Sequence, residues 1–338
     1  MLRKYSSKTT ESNIILYGRI IAKDPIVTIS KRWRDAPLGI AGAAPDFFRK
    51  KHALHILSDT WHSYNQNKRC LIKKDLQRLS RYLVNNHIIY LGNTQYETWL
   101  LSRSNISAIH SSELISIDES IFKPGAEQLC KIAPAEAVYN ARLDPFKRHN
   151  LAYGLIRLAL IYRDNKYFKK RYEELKCVMP HWYFINNEIG NGQYYYLNNK
   201  EVASILNQCQ VGLCLSSEEG AMRASMEYLL CGLPVVTIRN IGGRDRYFDK
   251  DNSIYADDTP ESVAEAVQVF LNNMPDRMDI RNSVLQKIQL DRNDFVNTIN
   301  EIIKSIYGVS NLFNSYSKII GYIENRRPVS EILADCLD

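Results

Sequence analysis

The stretch that decides the fold is VGLCLSSEEGAMRASMEYLLCGLPVVTI, which runs from Val211 to Ile238. Its first five residues form an apolar run with the length of a buried strand. A loop with two serines and two glutamates leads to a helical pattern that ends at Gly232, and Pro234 opens a second buried strand. Strand, loop, helix and strand in this order predict one parallel β/α unit.

Two glutamates in this stretch are candidates for ligand binding. Glu219 lies in the loop at the carboxyl end of the strand, where open α/β sheets bind ligands, and Glu227 lies on the helix. A carboxylate that accepts from two vicinal hydroxyls can hold a ribose. If Gly220 opens the helix, its amide and those of Ala221 and Met222 are free donors for sugar hydroxyls or a diphosphate. The alternative is an acidic helix start that only complements the helix dipole.

The segment SSEEGAMRASMEYLLCGLPVV also resembles the E-x7-E signature of retaining glycosyltransferases of the GT-B fold, family 4 in particular. Glu219 and Glu227 are the two glutamates of that signature. The resemblance implies an α/β chain of two Rossmann-like, doubly wound domains that face a cleft, and a transfer that retains the anomeric configuration. It covers residues 134–272 well, residues 85–124 loosely and residues 1–50 poorly.

A pair of cations precedes this motif in YNARLDPFKRHNLA, residues 139–152. Arg142 and Lys147 flank a turn with proline, so that both can reach one diphosphate, although a solvated basic loop is the alternative. The segment resembles the family's G-R-L-x-x-x-K-G, whose Arg and Lys bind the donor diphosphate. Ala141 and Arg148 stand where that pattern has glycines.

Three further features follow from the resemblance. The family carries a histidine in a loop of the first domain that faces the donor sugar, and His62 is our choice for it, with Asp59 and His55 as rivals and His110 as a weaker candidate. The family's glycine-rich loop after the first strand is reduced here to Gly18. After the motif, IGGR (residues 241–244) matches a glycine-containing loop near the donor, in which Arg244 would add positive charge; an ordinary surface turn is the alternative.

Alternating strands and helices predict a parallel, doubly wound sheet in each half. We expect an N-terminal acceptor domain over residues 1–124, with a C-terminal helix (310–338) packed back on it, and a donor-binding domain over residues 125–309. Thr259 and Pro260 predict a capped helix start. The expected strands are 14–17, 26–29, 52–57, 87–91, 113–117, 135–140, 158–162, 182–185, 194–197, 211–215 and 234–238. The expected helices are 71–84, 94–103, 166–177, 199–209, 290–307 and about 310–323.

Composition and charge limit the class of protein and its partners. A hydrophobic content of 45% and a charged content of 24% are typical of a globular protein, and no apolar run reaches the ~18 residues of a membrane span. Residues 1–13 lack the apolar core of a signal peptide, and the seven scattered cysteines indicate reduced thiols in the cytoplasm. Residues 1–81 carry 17 Lys and Arg against 6 Asp and Glu, whereas the net charge of the whole chain is +7. The first half therefore fits an anionic membrane surface or nucleic acid, unless it is only a solvated basic face.

These observations leave three hypotheses for the function. The first is a glycosyltransferase of polysaccharide or lipid-linked glycan assembly, peripheral at the inner membrane face, which uses a UDP- or GDP-linked sugar and a glycan or glycolipid acceptor. The second is a glycosyltransferase that modifies nucleic acid, such as phage DNA. The third is a non-catalytic protein that binds sugar nucleotides. We expect no cofactor and no metal, since no cluster of His and Cys predicts a zinc site.

Overall fold

The computed structural model describes residues 14–32, 35–59, 61–164, 168–323 and 326–336. Residues 1–13, where we expect no signal peptide, lie outside these ranges. The chain forms two units, one of residues 1–117 and 290–338 and the other of residues 118–289. The sequence suggested boundaries after residues 124 and 309.

The first unit is built on a five-stranded sheet in which β3 to β6 are parallel and β2 is an antiparallel edge strand. A separate pair of short strands, β1 and β13, joins the beginning and the end of the chain. The strands are β1 (Ile15–Leu16), β2 (Gly18–Lys23), β3 (Ile26–Lys31), β4 (Ala53–Ser58), β5 (Asn86–Gly92), β6 (Ala108–His110) and β13 (Arg327–Pro328).

Helices of the first unit begin where polar side chains satisfy the free amides of the first turn. Asn65 caps α3 by accepting from the amides of Asn67 and Lys68, and Thr94 caps α4 in the same way. The helices are α1 (Gly39–Ala43), α2 (Pro45–Phe48), α3 (Gln66–Ser80), α4 (Gln95–Arg103) and α11 (Val329–Ala334). Two 3-10 helices, Glu113–Ser116 and Ser317–Ile319, complete this list.

The C-terminal segment of the first unit is held by buried hydrogen bonds. The guanidinium of Arg292 donates to the carbonyls of Ile115 (2.9 Å) and Ile117 (3.2 Å), and the hydroxyl of Tyr322 donates to that of Ser58 (3.0 Å). Because the carbonyls of residues 115–117 are used in this way, the predicted strand over 113–117 is a 3-10 helix. The predicted helix over 310–323 is limited to the 3-10 turn at residues 317–319.

The second unit contains a six-stranded, fully parallel sheet in the order β12-β11-β10-β7-β8-β9. Its strands are β7 (Ala135–Asn140), β8 (Leu158–Ile161), β9 (Tyr183–Phe184), β10 (Cys209–Cys214), β11 (Val235–Thr237) and β12 (Ser253–Tyr255). The chain adds β8 and β9 on one side of β7 and then returns to place β10 on the other side. The order of the strands therefore reverses between β7 and β10, as expected for a doubly wound sheet.

The predicted β/α unit is present as β10, α8 and β11. Gly232 ends α8 with φ +72°, and Gly212 in β10 lies so close to the ring of Tyr228 that an added Cβ would come within 2.4 Å of it. The helices of this unit are α5 (Phe168–Val178), α6 (Ile185–Ile189), α7 (Asn199–Leu206), α8 (Arg223–Leu230) and α9 (Pro260–Asn272). Helix α10 (Arg277–Tyr307) runs from the second unit into the first.

In the second unit the sequence predicted the start of one helix correctly and one strand wrongly. Thr259 caps α9 with Pro260 in its first turn, as predicted. The predicted strand over residues 194–197 is absent, because the amide of Tyr195 bonds to the carbonyl of Asn186 rather than to a neighbouring strand. Two 3-10 helices, Pro145–Lys147 and His149–Ala152, follow β7.

The buried imidazole of His55 in β4 generates a prediction about pH. It bonds to the Thr28 hydroxyl through Nδ1 (2.8 Å) and to Asn86 Oδ1 through Nε2 (2.9 Å), and burial lowers its pKa to about 4. Since the unfolded histidine has its ordinary pKa of 6.5, the unfolded state binds more protons between pH 6.5 and 4. Stability from this group is complete above pH 6.5 and falls with pH by at most about 1.4 kcal/mol per unit.

Urea unfolding at pH 7 and pH 5, followed by tryptophan fluorescence, measures this effect. We expect His55→Gln to lose less stability between the two pH values than the wild type, and His87→Gln, at an exposed position, to behave as the wild type does. NMR titration of the wild-type imidazole should show no protonation of His55 above pH 5. An equal pH dependence in all three proteins, or protonation near pH 6.5, would contradict the prediction.

Candidate active site

The candidate site lies at the carboxyl ends of β7 and β10 in the second unit, where the strand order reverses. This reversal leaves a crevice at the edge of an open parallel sheet, because the connections from the two strands run in opposite directions. The loop after β7 carries Arg142 and Lys147, and the loop after β10 carries Glu219. The topology therefore brings to one edge the side chains that the sequence singled out.

Lys147 and Glu219 form a buried ion pair across this edge. The ammonium of Lys147 contacts Oε1 of Glu219, and the Ser216 hydroxyl donates to the same oxygen at 2.5 Å. The two side chains are only 9% and 7% exposed. Since the separation of two buried charges is costly, the pair fixes the position of both groups when no other ion is present.

Tyr139 of β7 anchors the loop that carries Lys147. The phenol of Tyr139 donates to the carbonyl of Lys147 at 2.6 Å. Arg148 then takes a left-handed conformation with φ +55°, which explains why the family pattern has a glycine at this position. The neighbouring His149 is fully buried, and burial together with Arg171 and Lys147 lowers its pKa to about 3, so that it stays neutral beside the ion pair.

Arg142 occupies the same loop but differs from Lys147 in exposure. Its guanidinium pairs with the carboxylate of Asp144 at 2.8 Å, and its side chain remains 52% exposed. Asp144 is itself buried. Arg142 is thus held by Asp144 but presents its guanidinium donors to solvent. It lies in the same loop as the buried Lys147.

Glu227 on α8 contacts the end of β7. The amide nitrogen of the Asn140 side chain donates to Glu227 Oε2 at 2.9 Å, and Arg223 lies 3.7 Å from Oε1. The backbone amide of Asn140 also donates to the hydroxyl of Tyr228 at 2.6 Å. Asn140 therefore orients Glu227, a contact that sequence reasoning missed because the two residues are 87 positions apart.

The start of α8 was predicted wrongly. The helix begins at Arg223, with Met222 as its N-cap residue, whereas Gly220 was expected to open it. The residues before it stay outside the helix because they pair with the loop after β11: the amide of Glu219 donates to the carbonyl of Ile241, and the amide of Gly243 donates to that of Gly220. The amides of Gly220, Ala221 and Met222 thus belong to a loop beside Glu219 and not to a helix terminus.

Arg244 was expected to add positive charge to the loop near the donor, and the structure places its side chain in the interior. It is 1% exposed, and its guanidinium donates to the carbonyls of Ser216 (2.7 Å) and Ile238 (2.7 Å) and to the hydroxyl of Thr237 (3.0 Å). It also donates to the Ser216 hydroxyl at 3.1 Å. Arg244 therefore joins the ends of β10 and β11 and holds the serine that bonds to Glu219.

Two candidates of the first unit, His62 and Asp59, lie in the loop after β4. His62 is buried, its ring stacks on Tyr64 at 4.4 Å, and its Nδ1 accepts from the amide of Tyr64. Asp59 pairs with Lys68 at 3.0 Å. The rival His55 has both ring nitrogens bonded inside the sheet, and His110 is half-buried at the end of β6. The described contacts leave the role of His62 a prediction.

The glycine expected in the loop after the first strand was assigned to the wrong position. Gly18 begins the antiparallel strand β2, whereas the first parallel strand is β3. The glycine that follows β3 is Gly39, with φ +57°, at the start of α1. An added Cβ there would come within 2.1 Å of the Ser30 hydroxyl, so this turn requires glycine.

The described residues contain no cluster of three or more His, Cys, Asp or Glu side chains that could hold a metal ion. The chain has one Asp-x-Asp sequence, Asp249 to Asp251, a pattern that metal-dependent sugar transferases use. Here the carboxylate of Asp249 contacts Lys287 and accepts from the amides of Asp251 and Asn252, which places it in a turn. Within the described part of the chain, no helix is both long enough and apolar enough to cross a bilayer.

Comparison with known families identifies residues 185–286 as a match to the family described as Glycosyl transferases group 1. All matched residues lie in the second unit, and they include Glu219 and Glu227. No curated protein sequence matches the chain. The similarity to this family therefore lies within the second unit.

Solved structures with a similar fold include glycosyltransferases. HepE of Anabaena, in complex with UDP and glucose, is 15% identical with a TM-score of 0.54 over 77% of this chain and 73% of its own. The pneumococcal O-GlcNAc transferase GtfA, in complex with UDP and GlcNAc, is 14% identical with a TM-score of 0.51 over 78% and 60%. The α,α-trehalose 6-phosphate synthase of Burkholderia multivorans is 11% identical with a TM-score of 0.54 over 82% and 72%. The fold is thus the GT-B fold, as the resemblance implied.

Gly242 generates a prediction for the loop beside Glu219. Its φ is +137°, and an added Cβ would come within 1.6 Å of the carbonyl oxygen of Glu219. Gly192 has φ +92° but no atom within 4 Å of such a Cβ, so it serves as a control for the backbone cost alone, about 1–2 kcal/mol. We expect Gly242→Ala to lower the Tm by at least about 4 °C more than Gly192→Ala in calorimetry. Equal Tm values would show that the loop moves away without cost.

Proposed function

We propose that the protein transfers a sugar from a nucleotide diphosphate sugar, linked to UDP or GDP, to a hydroxyl acceptor. The observation that carries this proposal is the buried Lys147–Glu219 pair at the edge where the strand order reverses. It places a cation for a diphosphate against a carboxylate for sugar hydroxyls. The family match of residues 185–286 supports the same function.

The two cations are assigned to the leaving group. When the bond to the sugar breaks, negative charge grows on the diphosphate, and a fixed ammonium or guanidinium stabilises it most in the transition state. Lys147 acts as a point charge, and Arg142 offers a planar fork to two phosphate oxygens. The loop amides of Gly220, Ala221 and Met222 are further candidates as donors.

The two carboxylates are assigned to hydroxyl groups of the donor. Glu227, oriented by Asn140, holds the ribose, and Glu219 holds hydroxyls of the transferred sugar and so positions the donor for attack. Because Glu219 already contacts Lys147, a diphosphate must share the ammonium with this carboxylate. Donor binding thus couples the position of the sugar to that of the diphosphate. His62 of the first unit is proposed as a further hydrogen-bond partner of the sugar.

The wider role that we propose is assembly of cell-surface polysaccharide or lipid-linked glycan at the cytoplasmic face of the membrane, with retention of configuration. The basic balance of residues 1–81 supports a first unit that meets an anionic surface. The same balance supports a second candidate, a glycosyltransferase that acts on nucleic acid. Salt-sensitive binding to duplex DNA without binding to anionic vesicles would favour that second candidate.

A panel of UDP- and GDP-linked sugars tests the proposal. We expect at least one donor to raise the Tm and to release UDP or GDP in the presence of the protein. Lys147→Gln and Arg142→Gln should weaken UDP binding at least about tenfold in calorimetry, since each removes a charge contact. The control is Arg157→Gln, because Arg157 is an exposed cation that precedes β8 and pairs with Glu136 near the amino end of β7, away from the site. No stabilising donor, or equal UDP affinity in all variants, would refute the proposal.

Activity is expected to be independent of divalent metal, because the cations of this site are side chains. Transfer measured in the presence of EDTA should match transfer in untreated buffer, and added Mg²⁺ or Mn²⁺ should not increase it by more than about twofold. Loss of activity with EDTA and recovery with Mn²⁺ would contradict this expectation. In that case Asp249 and Asp251 would be the first residues to replace.

A further inference from the structure

The outer sides of α3 and α4 form one surface of the first unit. Both helices turn their apolar sides to one cluster, to which α3 contributes Ile72 and α4 contributes Leu101. Arg69 of α3 also donates to the Ser104 hydroxyl after α4 at 3.1 Å. Their outer sides therefore face the same way. The α3–α4 face consists of Leu71, Lys74, Arg78, Arg81, Tyr96, Trp99 and Arg103, all exposed.

The spacing along each helix confirms that these residues are neighbours. Leu71, Lys74 and Arg78 recur at intervals of three and four residues, and Arg81 continues the stripe. Tyr96, Trp99 and Arg103 form the corresponding stripe on α4. Both stripes thus lie on the outer surface that the two helices share.

No carboxylate of either helix lies on this face. The single acid of α3, Asp75, pairs inward with Arg32 at 3.2 Å. The single acid of α4, Glu97, is 1% exposed and accepts from the backbone amides of Ser63 (2.6 Å) and Asn93 (2.9 Å). Among the described residues, Lys74, Arg78 and Arg81 have no ion pair. The face therefore presents unneutralised positive charge.

Two large aromatic side chains are exposed beside these cations. Tyr96 is 59% and Trp99 is 54% exposed, and their rings stack with 5.8 Å between centroids and 17° between planes. The guanidinium of Arg103 lies 5.6 Å from the centroid of the Trp99 ring. Trp and Tyr beside Lys and Arg are the side chains that prefer the boundary between lipid headgroups and acyl chains.

We infer that the α3–α4 face docks the protein on an anionic lipid bilayer, with Tyr96 and Trp99 inserted among the headgroups and the cations over lipid phosphates. The inference supplies the membrane partner of the proposed transferase and rests on that function for its purpose. Exposed cations beside exposed Tyr and Trp rings are the combination that binds an anionic bilayer, where lipid phosphates attract the cations and the interface takes up the rings. Contacts to duplex phosphates would leave the exposed aromatic pair without a role.

Sedimentation with vesicles tests the inference on the full chain. We expect binding to vesicles of phosphatidylcholine and phosphatidylglycerol at 3:1, no binding to pure phosphatidylcholine vesicles, and weakening of the binding by salt. The triple variant Lys74→Gln/Arg78→Gln/Arg81→Gln should lower the partition coefficient at least about tenfold. The double variant Tyr96→Ser/Trp99→Ser should lower it several-fold at any salt concentration, because it removes insertion and not charge.

The matched control neutralises three exposed cations of the second unit, in the variant Lys131→Gln/Lys170→Gln/Lys250→Gln, and should bind as the wild type does. Circular dichroism and the Tm verify that each variant is folded. Equal vesicle binding by the wild type and both face variants would overturn the inference. So would binding to a labelled DNA duplex in the absence of any vesicle binding. Vesicle binding is measured without a sugar nucleotide, so the two proposals can fail separately. If the protein turns over a nucleotide sugar but does not bind vesicles, this inference is wrong and the proposed function stands.

Discussion

The candidate site depends on one buried guanidinium. Arg244 is buried, so every donor of its guanidinium must find an acceptor, and it donates to groups at the ends of β10 and β11 and to the carboxylate of Asp245. This requirement fixes the distance between two strand ends and the orientation of Ser216. Through Ser216 it fixes Oε1 of Glu219, which also receives Lys147. The positions of the groups at this edge of the sheet therefore depend on the buried guanidinium of Arg244.

The remaining contacts of the site join residues that are distant in sequence. Glu227 receives Asn140 from the end of β7, and Glu219 receives Lys147 from the loop after the same strand. Each carboxylate of the motif is thus held by a group from β7 or from the loop after it, across the reversal point. A pair of strands with this topology can hold a ligand rigidly, because neither loop has to order itself alone.

Local signals in the sequence were enough to predict β10, α8, β11 and the Thr259 cap, because hydrophobic period and capping act over a few residues. They also selected Lys147, Glu219 and Glu227. They failed where distant groups take the backbone bonds: Arg292 uses carbonyls of the predicted strand 113–117, and the loop after β11 keeps Gly220 out of the helix. Asn140 and Ser216 carry no local signal, since a lone polar residue after a strand is common.

The way the chain closes the first unit has a consequence for its biosynthesis. β1 pairs with β13, and Arg292 and Tyr322 bond to residues that lie 177 and 264 positions earlier in the chain. The ribosome therefore synthesises the whole second unit before it synthesises residues 290–338, the last segment of the first unit. During translation one core cluster of the first unit therefore lacks Val329 and Ile332 until the second unit has been made, so part of its apolar surface stays uncovered for that time.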